Sequence, residues 1–174
     1  MKSVKSLVAC MAACAALVSA SAYAEGFYAE LGYASIKVEG SGISVRPGDA
    51  LLRGGYMFTN NFGVEVDAAT SVKSDSVGGV DVKIDSAYGA YLKGQFEVAP
   101  SFELFAKAGW LHADLKASGG GLSASSSDSS LSYAAGLQYL FTKNWYGQVD
   151  YASYYNKNGA TARGPSISIG YRFQ

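Results

Sequence analysis

The chain has 174 residues, with 14 basic and 14 acidic side chains and a formal net charge of zero. This length fits one domain, and the balanced charge offers no basic footprint for nucleic acid. Glycine and tyrosine are abundant, at 21 and 13 residues, whereas only three prolines occur, which favours many short strands over helices.

The first 24 residues have the three parts of a secretory signal. Lys2 and Lys5 precede an apolar run at residues 7–18, and Ala22-Tyr23-Ala24 supplies a small-residue cleavage site. The apolar run is shorter than the roughly 20 residues of a spanning helix, so a membrane anchor is the weaker alternative. We therefore predict that residues 1–24 are a cleaved signal peptide.

The predicted mature domain, residues 25–174, carries 12 basic and 14 acidic side chains and no cysteine. Cys10 and Cys14 both fall in the leader, which excludes a disulfide and a cysteine-ligated metal from the domain. Residues 7–10 also fit a lipoprotein box, but processing there would leave almost no apolar segment ahead of Cys10. The expectation is a secreted chain without a lipid anchor.

Apolar side chains recur with a period of two along the mature chain. Residues 27–34, 62–69, 145–152 and 167–173 each alternate apolar with polar or small side chains, as strands with one apolar face do. No mature segment has about 18 consecutive apolar residues, which excludes a spanning helix. Alternation alone leaves open whether the apolar face meets a protein core or lipid.

A weak internal repeat locates the turns. Residues 55–62 read Gly-Tyr-Met-Phe-Thr-Asn-Asn-Phe, and residues 138–145 echo them as Gln-Tyr-Leu-Phe-Thr-Lys-Asn-Trp. A third short turn surrounds Pro100, which cannot donate to a strand ladder. These turns alternate with longer polar stretches at 37–48, 73–82, 114–130 and 156–164.

Three tight turns and four long loops connect about eight strands. This pattern is typical of an all-β, eight-stranded antiparallel up-and-down transmembrane β-barrel, with both chain ends on the side of the short turns. Aromatic side chains of the apolar parity sit where strands meet the turns, and they predict an aromatic girdle at a membrane boundary. The girdle residues are Phe27, Phe58, Phe62, Phe96, Phe102, Phe141, Trp145 and Phe173. Trp110, Tyr133 and Tyr155 are candidates for the opposite girdle. In a soluble sandwich, the alternative fold, the aromatic side chains would fill a core.

The polar parity predicts a charged interior. Setting Phe58 opposite Phe62 across the first turn places Arg53 opposite Asp67, within reach of a cross-strand ion pair. The strand charges of this parity are four basic and four acidic: Arg53, Lys93, Lys107 and Arg172, with Glu30, Glu65, Asp67 and Asp150. Buried charges are costly unless paired, so we predict a structural network that sums to zero and plugs the barrel.

Four short motifs resemble the small outer-membrane barrels of the OmpA-like, OmpX/Ail and opacity-protein type, over residues 25–174. They are Gly26-Phe27-Tyr28-Ala29, Gly55-Tyr56-Met57-Phe58, Phe105-Ala106-Lys107-Ala108-Gly109 and Gly170-Tyr171-Arg172-Phe173. The resemblance implies a Gram-negative outer-membrane location with extracellular loops and periplasmic termini. It implies outer-membrane lipid, lipopolysaccharide, the barrel-assembly machinery and periplasmic chaperones as partners. Members end on an aromatic residue, so Tyr171 and Phe173 are the implied assembly signal, although Gln174 follows them.

The leading functional hypothesis is a structural scaffold that presents four loops at the cell surface, with an adhesion or envelope-integrity role. The third loop is rich in glycine and serine at residues 117–128 and suits a spacer or an adaptable contact. Seven basic loop residues face seven acidic ones, so no charge sign indicates a ligand. The basic residues are Lys37, Arg46, Lys73, Lys83, Lys116, Lys157 and Arg163, and the acidic ones are Glu39, Asp49, Asp75, Asp81, Asp85, Asp114 and Asp128.

Two alternatives remain open. A lipid-modifying enzyme could use Ser86, His112 and Asp114, which are the residue types that acyl transfer requires. A small-solute channel would need water through the interior, against the packing expected of eight strands. We predict that the protein is not an enzyme and that it has no catalytic residue, no cofactor and no metal, because no phosphate-binding loop or metal-ligand cluster is visible.

Overall fold

The structure is a computed structural model that describes residues 26–40, 43–45, 48–73, 75–77, 80–119, 122–157 and 160–173. The predicted signal peptide lies outside the described residues. The described chain forms eleven strands of one antiparallel sheet. Their bounds are β1 Phe27–Ser35, β2 Lys37–Gly40, β3 Ile43–Val45, β4 Gly48–Met57, β5 Phe62–Lys73, β6 Asp75–Val77, β7 Val80–Ala99, β8 Phe102–Gly119, β9 Leu122–Leu140, β10 Trp145–Lys157 and β11 Ala160–Phe173.

Eight of these strands close into a barrel, in the order β1, β4, β5, β7, β8, β9, β10 and β11. Antiparallel pairing of β1 with β11, from Phe27 opposite Phe173 to Ala34 opposite Ser166, completes the cylinder. The predicted eight-stranded antiparallel barrel is therefore confirmed. Arg53 lies opposite Asp67 in the β4–β5 ladder, which confirms the register that the first turn predicts.

Side chains whose burial the structure describes alternate between the inside and the outside along the barrel strands. On β7, Tyr91, Lys93 and Gln95 are buried, whereas Leu92 and Phe96 are exposed. The same alternation on the other strands follows from the pleat. Because the exposed set is apolar and the buried set is largely polar, the polarity of the barrel is inverted relative to a soluble protein.

The two copies of the repeated sequence fold into the same turn. Thr59 Oγ1 accepts hydrogen bonds from the backbone N–H groups of Asn61 (3.2 Å) and Phe62 (3.0 Å). Thr142 Oγ1 accepts from Asn144 and Trp145 at the same two distances. A threonine hydroxyl that caps its own turn thus fixes both connections.

Each turn also contacts a barrel strand beyond its own hairpin. The Asn61 side-chain amide donates to Gln95 O (2.9 Å), and the Asn144 amide donates to Arg172 O (2.8 Å). In return the backbone N–H groups of Gln95 and Arg172 donate to Asn61 O and Asn144 O, both at 2.8 Å. Asn144 therefore anchors the C-terminal end of the last strand.

We expect Asn144→Ala to lower the free energy of unfolding by about 0.5–1.5 kcal/mol, because it removes one half-buried hydrogen bond. Urea unfolding of the barrel in lipid vesicles measures this difference. The matched control is Asn60→Ala, an exposed asparagine of the first turn. Equal unfolding midpoints for the two variants would contradict the anchoring role.

Much of what the sequence predicts as loop is strand. The predicted loop at 114–130 is a paired hairpin in which β8 and β9 keep one register from Phe102 opposite Tyr139 to Gly119 opposite Leu122. The predicted loop at 73–82 contains β6 and the start of β7, and the one at 37–48 contains β2 and β3. The predicted loop at 156–164 is occupied at both ends by β10 and β11. These loop predictions are wrong because weak strand formers become strands when a long hairpin supplies their partners.

The barrel has two unlike ends. At one end, which we call the turn end, lie the short connections around Thr59, Ser101 and Thr142. At the other, the long-strand end, β7, β8 and β9 continue to lengths of 20, 18 and 19 residues. A membrane-spanning strand needs about 9–11 residues, so these three strands extend well beyond a bilayer.

Candidate functional site

The barrel interior holds a continuous network of ion pairs, and Arg53 is at its centre. Its Nη1 atom lies 2.9 Å from Asp150 Oδ2 and 3.4 Å from Glu30 Oε2, and its Nε atom lies 3.6 Å from Asp67 Oδ2. Its Nη2 atom donates to Ser166 Oγ at 3.0 Å. Arg53 is 1% exposed, so one buried guanidinium links β4 to four other barrel strands.

Two lysines extend the network towards β7 and β8. Lys93 Nζ lies 3.0 Å from Glu65 Oε2 and 3.5 Å from Glu30 Oε1. Lys107 Nζ lies 2.6 Å from Asp67 Oδ2 and also contacts Glu65 Oε1. Each lysine therefore bridges two carboxylates, which compensates the cost of burying them.

Tyrosine and serine hydroxyls add hydrogen bonds to two of these carboxylates, Glu65 and Glu30. Tyr28 donates to Glu65 Oε2 at 2.6 Å, and Tyr146 donates to Glu30 Oε1 at 2.7 Å. Ser168 donates to Glu30 Oε2 at 3.1 Å. Sequence reasoning did not single out these hydroxyls, although all three share the inward parity.

Two glycines, each of which precedes a tyrosine in the sequence, explain where the Tyr28 and Tyr146 rings fit. A Cβ atom on Gly55 would lie 2.3 Å from Tyr28 Cζ, and one on Gly170 would lie 2.2 Å from Tyr146 Cζ. Only a residue without a side chain can face the ring so closely. The two glycines thus make room for the tyrosines that complete the network.

Arg172 forms a further ion pair near the turn end, and Gln138 and Gln148 connect it by hydrogen bonds to Asp150. It pairs with Glu103 through both guanidinium nitrogens, with 3.1 Å between Nη1 and Oε1, and donates to Gln138 Oε1 at 3.1 Å. Its guanidinium also lies over the Tyr146 ring, with Cζ 5.0 Å from the centroid. Arg172 therefore lies inside the barrel, as predicted. Its partner is Glu103, which is missing from the predicted network.

A second acid also joins the interior. Asp49, predicted as a loop residue, lies on β4 with 0% exposure and accepts a hydrogen bond from Ser71 at 2.6 Å. The predicted set of interior acids is therefore incomplete, because the structure also places Glu103 and Asp49 inside the barrel. Among side chains that the structure describes, the interior basic residues are the four predicted ones: Arg53, Lys93, Lys107 and Arg172.

Beyond the network, towards the long-strand end, the next level of the interior is apolar. Leu51 follows Arg53 at the next inward position of β4, and Ala152 follows Asp150 on β10. They belong to one packed cluster: Ala34, Ile36, Leu51, Ala87, Ala134, Ala152 and Tyr154. Ions on one level and hydrocarbon on the next occupy the middle of the described bore, as expected of eight strands. A cavity of about 810 Å³ remains at the turn end, lined by Lys93, Gln95, Glu103, Tyr146 and Arg172 among others.

The predicted girdle residues lie on the outside at the turn end. Seven of them are exposed and Phe173 is partly buried. Three further tyrosines, Tyr56, Tyr139 and Tyr171, stack among them at ring distances of 4.7–5.9 Å. Of the opposite candidates, Trp110 and Tyr133 face outward and are exposed.

Tyr155 lies beyond these rings, on the extension of β10. Its hydroxyl donates to Asp128 Oδ2 at 2.7 Å, and this hydrogen bond raises the pKa of the phenol. On the same side of the molecule, the hydrogen bond from Lys37 lowers the pKa of Glu39. The Tyr155–Asp128 contact links the extensions of β10 and β9, whereas the Lys37–Glu39 pair lies within β2.

The residues considered for acyl transfer do not form a relay. Ser86 Oγ donates to Asp114 Oδ2 (3.1 Å) instead of to His112, and Asp114 Oδ1 lies 3.8 Å from His112 Nε2, beyond hydrogen-bond distance. His112 Nδ1 is instead 2.8 Å from Ser129 Oγ on β9. A base must stand between nucleophile and acid, whereas here Asp114 stands between Ser86 and His112.

The described residues contain no helix that is long and apolar enough to cross a membrane. Nor do they contain a group of three or more histidine, cysteine, aspartate or glutamate side chains placed to hold a metal ion.

An inverted barrel with apolar strands outside and paired charges inside defines a transmembrane β-barrel. Residues 6–173 match the family model described as the outer membrane protein beta-barrel domain, and the chain belongs to this family. The chain is therefore an outer-membrane β-barrel protein of a Gram-negative envelope. No curated protein sequence matches it.

Solved structures of small outer-membrane barrels share the fold. Ail, the attachment invasion locus protein of Yersinia pestis, is 26% identical with a TM-score of 0.67, over 86% of this chain and 99% of Ail. Neisserial surface protein A is 19% identical with a TM-score of 0.72, over 86% and 98% of the two chains. OprG from Pseudomonas aeruginosa is 14% identical with a TM-score of 0.62, over 87% and 98%. At the two lower identities the likeness concerns the fold alone.

Proposed function

We propose that the protein is a structural scaffold that presents its long-strand end at the cell surface for contact with other molecules. The observation that carries this proposal is the asymmetry of the barrel, in which β7, β8 and β9 continue far beyond the length that a bilayer requires. In this orientation the loops are extracellular and both termini are periplasmic.

The occupied middle of the bore supports a scaffold over a solute channel. Arg53, Lys93 and Lys107 each bind at least two carboxylates across the bore, and the apolar cluster occupies the next level. A water path would have to displace both layers. The separation of His112 from Ser86 likewise supports a role without catalysis.

Similarity to Ail supports a contact function of the adhesive kind. Ail is named for attachment and invasion, and one of its structures contains the heparin analogue sucrose octasulfate. The predicted loops of this chain carry seven basic residues and, without the buried Asp49, six acidic ones, and this near balance does not favour a sulfated polysaccharide. We therefore propose surface contact without assigning an anionic ligand.

Shortening the β8–β9 hairpin tests the scaffold. Replacing residues 115–126 by Asn-Gly joins Asp114 to Ser127, which face each other in the ladder, through a two-residue turn. We expect the variant to remain folded by heat-modifiability on gels, and we expect bacteria that express it to lose most of their adhesion to epithelial cells. A second variant keeps the length of 115–126 but replaces its sequence with alternating serine and threonine. Loss of adhesion in this variant would indicate a specific contact, whereas retained adhesion would indicate a spacer. Unchanged adhesion and serum survival with the shortened barrel, or a steady single-channel conductance of the native one, would contradict the proposal.

A further inference from the structure

An outward-facing groove crosses β4, β5, β7 and β8 near the long-strand end. It has a volume of about 570 Å³. Its floor consists of three small outward-facing residues, Gly54, Ala68 and Ala90, and the rings of Tyr88 and Trp110 lie beside it. Trp110 is 69% exposed, so this indole forms a wall and not part of a packed core.

A polar group closes the long-strand end of this groove. His112 and Ser129 both line it, with 2.8 Å between His112 Nδ1 and Ser129 Oγ. The Tyr88 ring packs against the His112 ring with 5.0 Å between centroids, and Asp114 lies 3.8 Å beyond the imidazole. The imidazole is thus oriented from three sides at the point where apolar surface gives way to polar surface.

We propose that this groove, which we call the lipid seat, binds one acylated-sugar lipid of the surrounding leaflet. The seat is continuous with the outward apolar surface of an outer-membrane barrel, where Val66 and Leu92 are exposed, so an acyl chain is the occupant that this surface meets. Tryptophan and tyrosine favour the boundary between hydrocarbon and headgroups, which places His112 and Ser129 at headgroup level.

The chemistry of the polar group selects the headgroup. The His112 ring and the Ser129 hydroxyl together can donate and accept hydrogen bonds, and the Asp114 carboxylate can only accept. Sugar hydroxyls and acyl carbonyls offer both functions, and none of the described side chains that line the seat is a lysine or arginine that would favour a headgroup recognised through its phosphate. The choice of an acylated sugar rests on the proposed orientation of the long-strand end, since such lipids belong to the outer leaflet.

A second outward groove provides an internal comparison. It has a volume of about 600 Å³, lies around Gly147 and is lined mainly by apolar side chains such as Leu137 and Ile169. Trp145 is two residues from Gly147 and is exposed. Because the protein has only two tryptophans, Trp110 reports on the lipid seat and Trp145 on a lipid-facing surface elsewhere.

Fluorescence quenching by brominated lipid tests the seat. The full barrel is reconstituted in phosphatidylcholine vesicles as Trp145→Phe, which leaves Trp110, and as Trp110→Phe, which leaves Trp145. Lipid A with brominated acyl chains is then added up to a few molecules per barrel. We expect Trp110 quenching to saturate near one lipid A per barrel, and Trp145 quenching to rise only in proportion to the lipid fraction.

Variants of the seat identify the contacts. In the Trp145→Phe background, His112→Phe keeps the ring beside Tyr88 but removes two nitrogens, and we expect half-saturation to need about tenfold more lipid A. Ala90→Leu, which fills the floor, should weaken saturation similarly, whereas the outward control Ala135→Leu should not.

Proportional quenching of both tryptophans, or an unchanged curve for His112→Phe, would overturn the lipid seat. Equal saturation by brominated phosphatidylglycerol would overturn the choice of an acylated sugar. The vesicle assay does not depend on cell adhesion, so failure of the scaffold proposal would remain distinguishable.

Discussion

Replacing Arg53 by methionine should lower the free energy of unfolding by about 3–5 kcal/mol, the cost of leaving buried carboxylates without their cation. The loss should be large because Asp150, Glu30 and Asp67 all lie within 3.6 Å of this one guanidinium. Urea unfolding of the barrel in vesicles, followed by heat-modifiability, measures it.

The matched control for this variant is Arg163→Met. Arg163 also pairs with an acid, Glu39 at 3.5 Å, but it is exposed at the long-strand end, where an ion pair contributes about 0–1 kcal/mol. A similar loss in both variants would mean that the interior network does not stabilise the barrel more than surface charge does.

The second large effect concerns the outer surface. Leu92 is 70% exposed. It lies on β7 midway between Tyr88, which is near the long-strand end, and Phe96 of the girdle at the turn end. We expect Leu92→Arg to lower the stability of the bilayer-embedded barrel by about 2–4 kcal/mol, because it places a charge at the midplane.

The depth dependence of that cost provides the control. Val98→Arg changes another exposed apolar residue of β7, one that lies near the turn end, and should cost only about 0–1 kcal/mol. Equal costs in the same vesicle unfolding assay would show that the outward face does not sit in hydrocarbon as the inverted polarity indicates.

The sequence predicts the barrel strands and the register of the first turn, but it does not predict the strand extensions. The period-two pattern predicts eight strands, and the first turn predicts the register of Arg53 opposite Asp67, because both depend on local geometry. The strand extensions are missed, because the serine- and glycine-rich segment at 117–128 has weak strand preference and pairs only through its long hairpin.

The sequence also predicts most of the charged interior, except for Glu103 and Asp49. Glu103 shares the parity of Lys107, and Asp49 shares the parity of Arg53, so alternation alone could have placed both inside. They are missed because each stands where a strand meets a connection, and strand limits are the least certain part of a sequence pattern. The contact of His112 with Ser129 depends on a register set 17 residues apart, which no local signal reveals.

The repeated turn also has a consequence for the symmetry of the molecule. The β4–β5 and β9–β10 turns are four strands apart in an eight-stranded cylinder, so a half-rotation about the cylinder axis brings one near the other. The same rotation relates the seam between β1 and β11 to the hairpin of β7 and β8. The barrel therefore divides into two four-stranded halves. In each half a turn asparagine, Asn61 or Asn144, donates a hydrogen bond to the last strand of that half.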